Sequence, residues 1–314
     1  MTDPAILDTV LHAPKPIAEI EAMALASRPG VRFIDAPRSR IRVRVAKVEG
    51  APVLVVLPDG PNTIEHYDPV FERFVGRMTV IALEIPGFGF SYARDPQALS
   101  FPGCVEEVVH ALRVLDAGRM VITGPCVQAY VAIAAAVALA GETLGVVALQ
   151  ATDIAGERRW IEQAIDPDGL LRRPGEGQRA WADPATRVRR AVDRWYPAAA
   201  APGFDVAPWQ EVARWAIRGG CSNALATLIQ RWFTSAGDTV PVYDGPAVIL
   251  FGTADRTHAA CGSDPAGMKA YLPQAEVREL ADAGHFPDLE ALDAFASAVE
   301  ALAARTKVEG RTRA

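Results

Sequence analysis

The residues able to do chemistry in this sequence stand where β-like runs end. Cys126 lies in "VITGPCVQAYVA", between an apolar run that closes on a glycine and an alanine-rich run suited to a helix. A thiol on such a turn, once ionised, can attack a carbonyl and form a thioester that water, an amine, an alcohol or a carbanion can displace. That chemistry needs a base for the thiol proton and a carboxylate to orient the base. His285 follows the last β-like run, in "VRELADAGHFPDLE", and Asp255 follows "AVILFG" in "FGTAD". Asp153, just after "LGVVALQ", is a rival for the acid, and His258 is a minor rival for the base. His12, His66 and His110 have no comparable setting. The competing reading of Cys126 is a small buried filler, and Cys104, Cys221 and Cys261 are read that way.

A regular alternation of elements must position these residues. "VRFIDAP" and "RIRVRVAKVE" read as strands, the second with clear alternation, and "APVLVVLPDG" reads as a fully buried strand entering a turn. A helix over "TIEHYDPVFERF", the strand "MTVIALEIPG", a helix around Val105 to Leu115, the strand "RMVITGP", a helix from Val127 and the strand "LGVVALQ" follow. Strands joined by helices of this length imply a mostly parallel sheet covered on both faces. From about Asp153 to Asp244 the alternation stops, and it resumes at "GPAVILFGTAD". The expected organisation is an α/β core over 1–152 and 245–314, interrupted by a helical cap over 153–244. All six tryptophans fall in the cap, where they can form its own core or wall an apolar pocket. The cap's twelve arginines face twelve acidic residues, which suits a mixed solvated surface better than a phosphate-binding face.

Composition narrows the partners. With 32 basic and 38 acidic residues the formal charge is −6, so neither nucleic acid nor an anionic membrane is attracted overall. No apolar run is long enough to span a bilayer, the first residues lack a signal-peptide pattern, and a cytoplasmic location is expected. The four cysteines form neither a CxxC pair nor a Cys/His cluster with metal-ligand spacing, so no metal or cofactor is expected. The expected partner is a small or carrier-bound acyl substrate with apolar character; a homodimer is compatible with the sequence.

On the strand–turn–helix "TGPCVQAYVA", "FGTAD", "AGHFPDLE" and "EIPGFGFS", the chain resembles the α/β hydrolase superfamily, most closely its epoxide hydrolase and haloalkane dehalogenase branch. The resemblance implies a mostly parallel eight-stranded sheet with helices on both faces and an inserted cap. It also implies a triad with Cys126 as nucleophile, His285 as base and Asp255 as acid. Val127 and Gly60 are the implied oxyanion donors, and Glu84 holds a structural position in the "EIPGFGFS" loop. The sequence departs from the pattern at three places. Cys126 replaces the branch's aspartate; thiolate attack on an epoxide or halide would leave a thioether that water cannot readily cleave, which argues for carbonyl substrates. Gln128 stands where a small residue is usual and either widens the turn or contacts substrate. Pro58 and Asp59 replace the usual His and Gly of the oxyanion loop, and Asp59 is read as a site carboxyl or as a turn former in "PDG". The leading expectation is hydrolysis of an ester, lactone or thioester. An acyltransferase or cyclase, and a non-catalytic ligand-binding protein, are the alternatives.

Overall fold

The computed structural model describes residues 2–235 and 240–305; positions 236–239 of the expected cap and 306–314 of the expected core lie outside the described residues. Eight strands form one path: β1 (Val31–Asp35), β2 (Ser39–Ala46), β3 (Val53–Val56), β4 (Thr79–Leu83), β5 (Met120–Pro125), β6 (Thr143–Leu149), β7 (Ala247–Gly252) and β8 (Glu276–Leu280). Their spatial order is β1-β2-β4-β3-β5-β6-β7-β8. β1 pairs antiparallel with β2 and β2 with β4; every other neighbouring pair on the path is parallel. A ninth strand of two residues, Tyr92–Ala93, adds to β2, one more than the eight expected.

Every residue of β3, β4, β5 and β7 is buried, as a central parallel strand covered on both faces must be, and runs such as "VLVV" and "AVILFG" supply the apolar side chains. The cover comes from helices that pair with each other: Phe101–Val114 packs on Gln128–Ala138, and Asp68–Phe74 packs on Leu292–Ala303. The single helix expected over "TIEHYDPVFERF" is instead a 3-10 turn, Ile64–Tyr67, followed by the α-helix Asp68–Phe74. Pro69 explains the break, because a proline has no N–H to donate and is favoured in the first turn of a helix.

Between β6 and β7 the chain forms helical segments that include Ile154–Trp160, Glu176–Ala182, Val188–Trp195 and Ala207–Gly219. They are tied to the core by polar contacts. Tyr196 Oη donates to Asn62 Oδ1 at 2.6 Å, Trp160 Nε1 donates to Thr257 Oγ1 at 2.9 Å, and the His285 N–H donates to the Ala199 carbonyl at 2.9 Å. Of the tryptophans, Trp160, Trp181 and Trp195 line a cavity; Trp215 packs on Phe90 and Trp232 on Phe101, both outside the expected cap, and Trp209 packs on Phe204 of the cap and Phe286 outside it.

Candidate active site

The loops that leave the carboxyl ends of β3, β5, β6, β7 and β8 converge, as expected for a site on an open parallel sheet. After β5 the chain turns at Cys126, whose φ is +49°. That left-handed conformation is unfavourable for a residue with a Cβ and concentrates at functional positions. Hydrogen bonds hold it on both sides: the Cys126 N–H donates to the Leu149 carbonyl at 2.8 Å, and the Cys126 carbonyl accepts from the Ala129 N–H at 3.0 Å. Gly124 makes the turn feasible, because a Cβ there would stand 2.5 Å from the Gln128 carbonyl oxygen. Gly124 therefore carries the close strand–helix approach that made Gln128 look out of place. The Gln128 side chain instead lines the cavity, donating from Nε2 to the Pro58 carbonyl at 3.4 Å and leaving Oε1 without a partner.

Cys126, Val127, Gly60, Asp59 and Gln128 share one cavity of about 430 Å³, roofed by Trp160, Trp181 and Trp195. His285 is fully buried behind that roof, stacked on Trp160 at 5.3 Å and edge-on to Trp195 at 4.9 Å between ring centres. Its Nδ1 hydrogen-bonds Asp255 Oδ2 at 2.7 Å. Asp255 also caps the helix Arg256–Ala260, accepting from the Thr257 and His258 N–H groups at 2.8 and 3.3 Å. Burial pushes the Asp255 carboxyl up, but the hydrogen bond and charge of His285 outweigh it and hold the group below the ordinary carboxylate range. Asp255, not Asp153, thus orients the histidine; Asp153 caps Ile154–Trp160 by accepting from the Gly156 N–H at 2.6 Å.

The other face of His285 departs from the expected relay. Its Nε2 lies 3.2 Å from Asp59 Oδ2, an ion-pair distance, yet the two atoms are misaligned for a hydrogen bond and neither has another partner. A ring nitrogen of His285, a carboxylate oxygen of Asp59 and Cys126 Sγ all fall within 4.8 Å of one another. Burial alone would lower the His285 pKa, but the two flanking carboxylates raise it to about 10, so the ring is an imidazolium at neutral pH. His258 is the opposite case: burial and the neighbouring His285 charge depress it to about 3, which removes it as a base near neutrality.

Two residues of the site escaped sequence reading. Glu157, in the first turns of Ile154–Trp160, accepts at Oε1 from the Thr152 N–H and hydroxyl at 2.9 and 3.1 Å, while Oε2 accepts from Cys126 Sγ at 3.8 Å. Burial raises it to about 7, against the opposing pull of the Thr152 hydrogen bonds. Burial, then Glu157 and Asp59, push the Cys126 thiol well above its ordinary value, so the resting sulfur is protonated. Gln150 follows β6 with φ +44°; its Nε2 donates to Asp255 Oδ2 at 3.2 Å and its Oε1 accepts from the Gly252 N–H at 2.7 Å. Gln150 is the last residue of "LGVVALQ" and Glu157 lies beyond it; no spacing rule marks a glutamate at the fourth position of a cap helix.

A sequence model of the alpha/beta hydrolase family matches residues 54–298. No curated protein sequence matches. Among solved structures, a mutant epoxide hydrolase from Bacillus megaterium superposes with a TM-score of 0.67 at 14% identity, covering 87% of this chain and 100% of its own. A thermophilic esterase from Thermogutta terrifontis gives 0.60 at 20% identity, covering 86% and 97%, and a haloalkane dehalogenase variant from Bradyrhizobium elkanii gives 0.63 at 14%, covering 87% and 96%. At these identities the similarity is one of fold.

Proposed function

The chain belongs to the alpha/beta hydrolase family, and from that premise we infer that it is a cysteine-dependent hydrolase of an ester, lactone or thioester, working through an acyl-cysteine at Cys126. The observation that carries this reading is the placement of the Cys126 sulfur. It lies on a strained turn beside a cavity, 3.8 Å from Glu157 Oε2 and within 4.8 Å of a ring nitrogen of His285.

The charge pattern supports the following proton transfers. Because His285 is already an imidazolium, Glu157 is the group placed to accept the thiol proton as sulfur bonds to the substrate carbonyl. The carbonyl oxygen becomes an oxyanion facing the Val127 and Gly60 N–H groups. The imidazolium then gives its Nε2 proton to the leaving alcohol or thiol as the tetrahedral intermediate collapses to the thioester. Asp255 retains its bond to Nδ1 throughout and keeps the ring oriented. In the second half, neutral His285 takes a proton from water as its oxygen attacks the thioester, and the departing Cys126 sulfur recovers its proton from Glu157. The thiol in place of an aspartate favours carbonyl substrates, since its thioester can be cleaved by water whereas a thioether cannot.

The test is intact mass after incubation with activated acyl thioesters. An adduct that disappears in Cys126→Ala supports the reading, and analysis of released products distinguishes hydrolysis from transfer to an amine or alcohol. Absence of both adduct and turnover across short and long acyl chains would sink it.

A further inference from the structure

We propose that Asp59 Oδ2, Cys126 Sγ and His285 Nε2 form a site for one divalent transition-metal ion of the zinc type, and that the bound ion withholds the Cys126 sulfur from substrate. Carboxylate, thiolate and imidazole are the ligand types such ions select. Here they come from positions 59, 126 and 285, a separation that defeats any search for short ligand spacings, and their atoms lie within 4.8 Å of one another.

Independent observations point to a missing partner. Asp59 and His285 are 3% and 0% exposed, yet Asp59 Oδ2 and His285 Nε2 each lack an aligned hydrogen-bond partner. Buried polar atoms are normally paired, and a cation between these two would satisfy both. The remaining His285 nitrogen is already fixed by Asp255, itself held by Gln150, which is the carboxylate–histidine arrangement that orients metal-ligating imidazoles. Tetrahedral zinc bonds place ligand atoms roughly 3.3–3.8 Å apart. The Asp59–His285 pair lies close to that range at 3.2 Å, and Cys126 Sγ lies within 4.8 Å of a His285 ring nitrogen and an Asp59 carboxylate oxygen. Asp59 and Cys126 also line the cavity, so a fourth position is open to water.

A neighbouring group, Asp255, His258 and His285, is also compact, and His258 Nε2 has no hydrogen-bond partner there, but Asp255 Oδ2, His285 Nδ1 and His258 Nδ1 are engaged. Asp255 Oδ2 accepts from His285 and Gln150, and His258 Nδ1 is bonded to Ser263 Oγ at 2.8 Å.

On binding, metal–sulfur, metal–nitrogen and metal–oxygen bonds form while the thiol proton and the Nε2 proton leave to water; no electron is transferred. Chelator-treated protein titrated with Co²⁺ should develop a near-ultraviolet thiolate-to-metal band that saturates at one equivalent and is displaced by Zn²⁺. Cys126→Ser should abolish that band, Asp59→Asn should weaken Co²⁺ binding about tenfold or more, and His258→Ala should leave both unchanged. In the unaltered protein, Zn²⁺ should protect Cys126 from alkylation in peptide mass mapping, a readout that survives misfolding of any variant. Absence of the band and of protection, or a band that persists in Cys126→Ser, overturns the proposal. Acyl-adduct formation is measured on the metal-free protein, so failure of the acyl-cysteine reading would be seen separately.

Discussion

Two buried clusters of charge, one around Arg42 and one around His285, are built on opposite terms. In the first, the fully buried Arg42 joins β2 to Glu65 and Glu84: Nη1 donates to Glu84 Oε1 at 3.0 Å and to Glu65 Oε2 at 3.3 Å, and Nη2 also bonds Glu65. Arg42 further donates to the Ala24 carbonyl and the Ser27 hydroxyl, and Glu84 accepts from the Phe90 and Ile64 N–H groups at 2.7 and 3.1 Å. In the second, Asp59, Asp255 and Glu157 surround one imidazolium and one thiol, and Asp59 Oδ2, His285 Nε2 and both oxygens of nearby Asp288 lack hydrogen-bond partners. Burial and the charge of Asp59 raise Asp288 to about 7. Dense hydrogen bonding, with Arg42 Nε left without a partner, marks the first cluster as a device for holding strands together. Unmet bonds beside a cavity mark the second as a place where something else must bind or react.

The contrast is broken most forcefully by deleting the centre of each cluster. Cys126→Ala should lower turnover on a thioester substrate by about 10⁴-fold or more, the order seen when a nucleophile is removed, while the melting temperature moves by only a few degrees. Arg42→Ala should do the reverse, costing about 3–5 kcal/mol by leaving carboxylates buried without their partner, with acyl-adduct formation preserved in whatever fraction stays folded. Steady-state kinetics and thermal melts on both variants check this, and turnover retained in Cys126→Ala would make the thiol a filler. Next in size, Glu157→Gln should reduce kcat/KM by about 10²-fold, the usual loss for a general base. It should also remove the rise in kcat/KM expected of the parent as pH passes about 7, where Glu157 ionises. Its stability should move the other way. A carboxyl raised to about 7 holds a proton that the unfolded chain releases near its ordinary value, so the parent loses stability as pH climbs through that window and the glutamine variant does not.

How much of this was legible in the sequence follows from what each signal measures. Apolar runs and their connections fixed the sheet, the interruption and the turn at Cys126, because burial on two faces writes itself into local composition. Asp255 and His285 were legible through motif context, and the structure brings them together as expected. The partner of His285 Nε2 was not, because it depends on the path of the loop after β3 relative to that after β8. Glu157 was hidden for the same reason: a helix start reads alike whether its glutamate meets water or a thiol. Gln150 gave no signal because its role depends on a backbone conformation, φ +44°, that single residues seldom announce.

The finest test of the contrast is Asp59→Asn, which removes a charge but little volume. With two carboxylates beside it His285 titrates near 10, well above its ordinary value, so its ionisation contributes stability that is complete below about pH 6.5 and disappears as pH rises through 10. Removing one of the two should lower the imidazole pKa by about 1–3 units, visible in the ring-proton resonances of labelled histidine. The same change removes part of that stability, so the variant should melt below the parent by a constant margin at pH values under its own imidazole pKa, about 1–3 units below the parent's, and the two melting temperatures should converge as pH rises from there through 10. Removing the carboxylate also takes Asp59's contribution away from Cys126, so the thiol should ionise at lower pH than in the parent, which the rate of iodoacetamide alkylation against pH reports. An unchanged histidine titration would mean that the 3.2 Å contact carries no electrostatic coupling, and the site would then lose the feature that sets it apart from the Arg42 cluster.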